Sequence, residues 1–222
     1  MWHCMMLSRP VHFQPFTLGL LAVLVIGCDE ATPATFTTGG DDTPAVQGTT
    51  YEYAFDDDDT TDFISVLGDW EVSSDGALKQ GGEFADPDFP RIVLKNLVFE
   101  DLTMSVRCRL ESGTVDQACG VMFHFVDSDN YMITRANALE SNLRLYRVVD
   151  GVRDEFASVD LEIAANEWHE LDVSVAGDEI VVSWNGDALI TEKDTTFAKG
   201  KVGLWTKADA ITSFDDLTIL AQ

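Results

Sequence analysis

Three turn signals constrain this chain more than anything else in it. Val181-Val182-Ser183-Trp184 and Asp187-Ala188-Leu189-Ile190 flank Asn185-Gly186. Asn-Gly supplies the paired positive φ angles of a type I′ turn, so the two runs read as an antiparallel hairpin. Asp150-Gly151 does the same between Leu143–Val149 and Val152–Ser158, and Ser74-Asp75-Gly76 marks a third turn. No amphipathic run of helical period extends beyond about ten residues. Roughly twelve short strands in the last ~170 residues predict an all-β fold, a two-sheet antiparallel sandwich or jelly roll.

Charge narrows the partners. The chain has 222 residues, with 14 Lys+Arg against 39 Asp+Glu, a net charge of −25. Hydrophobic residues make up 45%, which excludes a disordered acidic tail. Binding to nucleic acid depends on cations that neutralise phosphate, so this balance argues against a nucleic-acid partner.

The N-terminus reads as an address rather than as fold. The apolar run Phe16–Ile26 is too short for a membrane span, which needs ~20 residues, and has the length of a signal-peptide core. It ends in Val25-Ile26-Gly27-Cys28, which resembles the bacterial lipoprotein box. Residues 1–27 are then a cleaved signal, and Cys28 is the lipidated first residue. The alternative is a plain secretory signal in which Cys28 plays no part. The lipoprotein reading predicts a lipid-anchored protein of the bacterial cell envelope that meets the membrane only through its lipid. Residues 28–50, rich in Thr, Gly, Pro and Ala, offer little to bury and read as a disordered tether. The folded domain is expected over 51–222.

Alternation fixes a provisional register. Leu102, Met104, Val106, Cys108 and Leu110 form one face of a strand; Cys119, Val121, Phe123 and Phe125 form one face of the next. If the Glu111–Asp116 loop is a hairpin turn, Cys108 opposes Cys119. In an exported protein that pairing favours a disulfide over two buried thiols. A turn at Asp127–Asn130 pairs Phe125 with Met132 and His124 with Ile133. The next hairpin pairs Arg135 with Arg144 and Asn137 with Asn142, and Tyr146 then opposes Glu155. The outward face collects Arg107, Arg109, His124, Arg135, Asn137, Asn142, Arg144, Tyr146 and Glu155. Like charges directly across a sheet destabilise it. Arg135 and Arg144 therefore need Glu155, another loop carboxylate or a ligand between them; a solvated outer face is the alternative. Trp205 and Lys207 are read as pointing outward.

Four segments carry a resemblance: Asn130-Tyr131-Met132-Ile133-Thr134-Arg135-Ala136-Asn137-Ala138-Leu139-Glu140, Gly200–Asp209, Trp168-His169-Glu170-Leu171 and Phe214-Asp215-Asp216-Leu217. With these the chain, over about residues 53–220, resembles bacterial secreted domains of the concanavalin A-like lectin/glucanase superfamily. The nearest types are LamG-like domains and the 3-keto-disaccharide hydrolase domain, which itself resembles family 16 glycoside hydrolases. The resemblance implies two stacked antiparallel sheets with sugars bound on the concave one.

Catalytic and metal motifs are sparse. Family 16 glucanases carry E-x-D-x-x-E on one strand, where two carboxylates serve as nucleophile and acid/base. Here Glu170-Leu171-Asp172-Val173-Ser174-Val175 lacks the last Glu, and Glu170 and Asp172 read as solvent-facing. Two His beyond the signal segment leave little for zinc or a Ser-His-Asp triad. Calcium, a hard cation bound by carboxylates and carbonyls, is the expected cofactor if any, at Asp57, Asp215 and Asp216, where the first and last strands meet. Solvated acids are the alternative.

The favoured reading is a non-catalytic, carbohydrate-binding lectin-like lipoprotein. The site residues are Arg135, Asn137, Arg144, Tyr146, His124, Trp205 and Lys207, and the paired Arg point to an acidic polysaccharide. The alternatives are a glycoside hydrolase or lyase acting on a keto-sugar, and a structural or adhesion module. The anchor is tested directly: Cys28→Ala should abolish lipid labelling and move the protein to the soluble fraction. Unchanged membrane association would refute the lipoprotein reading.

Overall fold

The computed structural model describes residues 42–56 and 60–222. The predicted signal segment, Cys28 and Asp57 lie outside the described residues. Strands dominate, and there is no helix among the described residues.

Two antiparallel sheets stack face to face. One has seven strands. They are β3 (Phe63–Leu67), β6 (Arg91–Leu94), β9 (Ala118–Asp127), β10 (Asn130–Asn137), β11 (Asn142–Val149), β12 (Val152–Asp160) and β16 (Lys201–Trp205). Their order is β12-β11-β10-β9-β16-β6-β3. The other has eight. They are β2 (Thr50–Tyr53), β4 (Trp70–Val72), β5 (Leu78–Gln80), β8 (Leu102–Ser112), β13 (Trp168–Ala176), β14 (Glu179–Trp184), β15 (Asp187–Lys193) and β17 (Ile211–Ala221). Seven of them run in the order β15-β14-β13-β8-β17-β5-β4, and β2 pairs with β17 beside that path. This is the jelly-roll sandwich expected from the turn signals. All three turns close hairpins, with positive φ at Asn185 and Gly186, at Asp150 and Gly151, and at Gly76.

Part of the expected tether, residues 42–50, is ordered on the domain. From Asp42 onward the chain docks on the domain. β1 (Thr43–Pro44) pairs in parallel with β7 (Leu97–Val98), and Lys201 Nζ lies 2.7 Å from Asp42. Backbone hydrogen bonds and one ion pair do what the missing apolar side chains could not.

Alternation on β8 holds as expected, with Leu102, Met104, Val106, Cys108 and Leu110 all fully buried. Its relation to β9 is not the expected one. β8 and β9 do not form a hairpin; they lie in opposite sheets, and the Gly113–Asp116 connection carries the chain across the sandwich. Cys108 and Cys119 meet through the core, and their disulfide joins the two layers. Inward alternation serves either arrangement equally well, so the side-chain pattern could not separate them.

That crossover also divides the basic face. Arg107 and Arg109 sit on the outer side of the eight-stranded sheet, with guanidiniums 4.8 and 4.7 Å from the Trp168 ring centre. Glu170 and Asp172 share that side, while Leu171, Val173 and Val175 are buried, as the broken glucanase motif indicated.

A second correction concerns β9. The observed pairs are Phe123 with Met132 and Met122 with Ile133, and the register shifts between Asn130 and Met132. His124 has φ +47° and forms a β-bulge, which reverses the facing of the residues beyond it. Phe125 therefore leaves the main core for a second cluster on the outer side of the seven-stranded sheet, with Tyr131, Met122, Ile133, Tyr146 and Trp205.

The disulfide closes a loop of 11 residues between two buried positions. Replacing both cysteines by Ala should lower unfolding free energy by about 2–3 kcal/mol, measured by chemical denaturation of the disulfide-bonded protein. A variant as stable as the parent would show the link to be dispensable.

Candidate functional site

The outer side of the seven-stranded sheet holds the polar cluster that the sequence singled out. Arg135 on β10 and Arg144 on β11 are directly paired across the ladder. Glu140, in the turn between those strands, resolves the repulsion. Its Oε2 lies 2.7 Å from Arg135 Nη2 and 3.3 Å from Arg144 Nη1. Glu155 on β12 takes the other side of Arg144 at 3.2 Å. Arg135 also donates to Asn142 Oδ1 at 2.7 Å and to the Tyr146 hydroxyl at 3.1 Å. Arg144 donates to Ser158 Oγ at 3.3 Å and to the same hydroxyl at 3.4 Å. Arg135 is 3% exposed, whereas the Arg144 side chain is 30% exposed and presents the network to solvent.

Local chemistry sets the turn that delivers Glu140. Asn137 Oδ1 accepts the N–H groups of Leu139 and Glu140 at 2.9 and 3.0 Å, and Asn137 Nδ2 donates to Asp116 at 2.9 Å. Asn137 is thus buried scaffolding beneath the cluster, not a group facing a ligand. Burial acts to raise the Glu140 pKa, but the hydrogen bond and charge of Arg135, with Asn142 and Arg144, hold it below the ordinary carboxylate range. Asp116 behaves oppositely. Burial raises its pKa despite Lys207, whose Nζ lies 3.3 Å away, and despite Arg135. Two carboxylates of one face therefore differ in proton affinity in opposite directions.

The structure brings together Arg135, Arg144 and Tyr146. The other expected members are engaged within the fold itself. His124 is buried in the bulge, with Nε2 2.7 Å from the Glu100 carbonyl. Lys207 bridges Asp116 and Asp86, the latter at 3.0 Å. Trp205 does lie on this side of the sheet, but it is 1% exposed, because Phe89 stacks on it with ring centres 5.3 Å apart. It is therefore no open platform. Gly120 makes room for it: a Cβ there would crowd Arg135 Cβ at 3.1 Å and Trp205 Cε3 at 3.2 Å.

Four residues of this face carry no signal of their own in the sequence: Asp116, Phe89, Arg91 and Arg153. Arg153 lies 5.0 Å from the Phe89 ring centre and 4.8 Å from that of Tyr146. Arg91 lies 5.5 Å from the Tyr131 ring centre and donates to the Ser128 carbonyl at 2.9 Å. Their meeting is a product of topology.

Of the three expected calcium ligands, Asp57 lies outside the described residues. Asp215 and Asp216 both face Arg107, at 3.8 and 2.8 Å, so a guanidinium already supplies the positive charge. Among the described residues no three His, Cys, Asp or Glu side chains converge for a metal.

The fold and this face define a concanavalin A-like jelly roll with a polar network on one sheet. The 3-keto-alpha-glucoside-1,2-lyase-like domain model matches residues 50–220, and the chain belongs to that family. Comparison with curated proteins finds no match. Among solved structures the chain is similar to the carbohydrate binding module CBM66 from Bacillus subtilis. Identity there is 19%, the TM-score is 0.65, and coverage is 72% of this chain and 96% of that one. It is similar to the Bacillus licheniformis beta-glucanase at 12% identity and TM-score 0.58, covering 80% and 100%. It also resembles the GH43 protein BlXynB from Bacillus licheniformis at 15% identity and TM-score 0.60, covering 77% and 39%.

The loop that carries Asp116 offers a pH test. Burial acts to raise the Asp209 pKa, but the N–H groups of Asp116, Thr114 and Val115 and the Thr114 hydroxyl hold it down at about 2. A depressed carboxylate stabilises the fold above its unfolded pKa, and that contribution disappears as pH falls through the folded value. Asp209→Asn should therefore cost about 1–2 kcal/mol at neutral pH, after allowance for its partial exposure. The gap from the parent should shrink below about pH 4 and close near pH 2. A pH-independent gap would overturn this account.

Proposed function

We propose that this domain binds carbohydrate on the outer side of the seven-stranded sheet, around Arg144, Arg135, Glu140, Tyr146 and Glu155, while lipid on Cys28 holds the protein to the cell envelope. The observation that carries this reading is the Glu140-centred network. Its planar donors and acceptors are held in fixed positions at the solvent boundary, as recognition of sugar hydroxyls requires. Membership of a family named for a keto-glucoside lyase, and similarity to a carbohydrate binding module and a glucanase, support the same ligand class.

The ion pairs revise the kind of sugar. Within the Glu140 cluster, Arg135 and Arg144 are matched by Glu140 and Glu155, so that cluster leaves little net positive charge to attract a polyanion. A neutral sugar fits this balance better than the acidic polysaccharide inferred from the paired arginines. Binding should then vary little with added salt.

A second reading is lyase or hydrolase chemistry. The opposite pKa directions of Asp116 and Glu140 favour it, since groups tuned apart are suited to separate acid and base roles. One experiment separates the two: a glycan panel applied to the exported protein and read for both bound and released sugar. The first reading expects binding without release, and Arg144→Ala should weaken it by about 1–3 kcal/mol without unfolding the domain, because Glu140 keeps Arg135 as partner. Sugar release that disappears in Asp116→Asn would establish the second reading instead. Absence of both binding and release would reject the carbohydrate assignment.

A further inference from the structure

The connection from β5 to β6, residues 81–90, passes from one sheet to the other along the outer side of the seven-stranded sheet. Its start is pinned by the buried Gln80, which donates to the carbonyls of Gly82 and Ala210 and accepts the Gly82 N–H. Farther on it runs beside residues 206–208. There the Phe84 N–H donates to the Ala208 carbonyl, the Ala208 N–H to the Asp88 carbonyl, and the Thr206 N–H to the Pro90 carbonyl. Two side-chain contacts complete the fastening: Phe89 stacked on Trp205, and Asp86 paired with Lys207 at 3.0 Å. Glu83, Ala85, Asp86, Pro87 and Asp88 are exposed. The strap is thus held at a few points rather than packed along its length.

The surface below it differs from an ordinary apolar core. Arg91 Nε, Arg135 Nε, Arg153 Nη1 and Thr206 Oγ1 are buried without a hydrogen-bond partner. Buried polar atoms without partners are rare in native proteins and call for an explanation. All four belong to the face under the strap or to its rim. Neither Arg91 nor Arg153 has a carboxylate partner among the described residues, in a chain of net charge −25. Meanwhile the large flat ring of Trp205, which with Tyr131 and Tyr146 forms the aromatic part of this face, is occupied by one phenyl ring of the strap. A phenyl ring and the apolar face of a pyranose compete for the same kind of surface.

We propose that Trp205 is the floor of a sugar-stacking subsite and that Phe89 holds its place until a pyranose ring displaces it. The strap then lifts from the face, and the unpartnered groups of Arg135, Arg153 and Thr206 take the ring hydroxyls. This subsite rests on the carbohydrate reading and extends the Arg144 network toward β16. A site whose open form is a minority loses affinity in proportion to that fraction, so loosening the strap tightens binding.

The test uses the exported protein with Phe89→Ala and Asp86→Asn variants. Binding of short neutral gluco-oligosaccharides is measured by calorimetry, and acrylamide quenching of Trp205 fluorescence is taken as the difference from a Trp205→Phe background. The expected result is about tenfold tighter binding in Phe89→Ala, a smaller gain in Asp86→Asn, and greater quenching of Trp205 in both. Should Phe89→Ala not fold, Asp86→Asn decides alone, because its side chain is largely exposed. Binding no tighter than that of the parent, with Trp205 still shielded, overturns the subsite and leaves the carbohydrate reading standing. Failure of the parent and both variants to bind any of these sugars overturns the subsite for this ligand class, and a parent that binds no member of the wider panel removes the carbohydrate reading with it.

Discussion

Leu102, Met104, Val106, Cys108 and Leu110 face Cys119, Val121 and Phe123 across the space between two sheets, and the rest of the molecule is built on the outside of that seam. Each side chain in it is withdrawn from water, and burial of apolar area is the largest favourable contribution to such a fold. A strand committed to this seam has only its alternate residues left for other work. Arg135 and Arg144 reach the surface of the seven-stranded sheet because Thr134, Ala136, Leu143 and Leu145 face inward. The same constraint puts Arg107 and Arg109 on the far side of the molecule, since β8 turns its apolar residues toward the seam from the other layer.

The polar network on the seven-stranded sheet shows how a nearly buried guanidinium is made tolerable. Arg135 would be costly if its charge were unmatched, because an unpaired buried ion forfeits its hydration without compensation. Glu140 supplies the opposite charge, Asn142 and Tyr146 accept hydrogen bonds, and Asn137 holds the turn that places Glu140. Each member depends on the others, so the network is rigid where it meets solvent at Arg144. Rigidity is also what a sugar site requires, because hydroxyl groups compete poorly with water unless their partners are already in place.

The β-bulge at His124 shapes the neighbouring half of the face. By reversing the facing of Phe125, it moves one more ring from the inter-sheet core to the outer cluster. That cluster supports Trp205 from below while Phe89 covers it from above. The face therefore has two unlike halves: a charged, partly solvated one at Arg144 and an aromatic, covered one at Trp205. Gly120 lets them meet, because no side chain stands between Trp205 and Arg135.

Sequence alone determined the features that depend on nearest neighbours along the chain or across a tight turn. Asn185-Gly186 and Asp150-Gly151 specify their hairpins because few residues accept paired positive φ. The short loop from β10 to β11 places Arg135 against Arg144 by counting. Alternation identified the inward residues of β8 because the side-chain period is two in any sheet. The family resemblance was legible in the same local segments. Tertiary structure alone decided the features that depend on long-range choices. Whether β9 pairs with β8 or crosses to the opposite sheet leaves its inward pattern unchanged, so Arg107 and Arg109 could not be separated from Arg135 beforehand. A bulge at His124 has no local signature strong enough to predict a change of face. The covering of Trp205 by Phe89 joins residues more than a hundred positions apart, through a connection whose path is set by the stacking of two sheets rather than by its own composition.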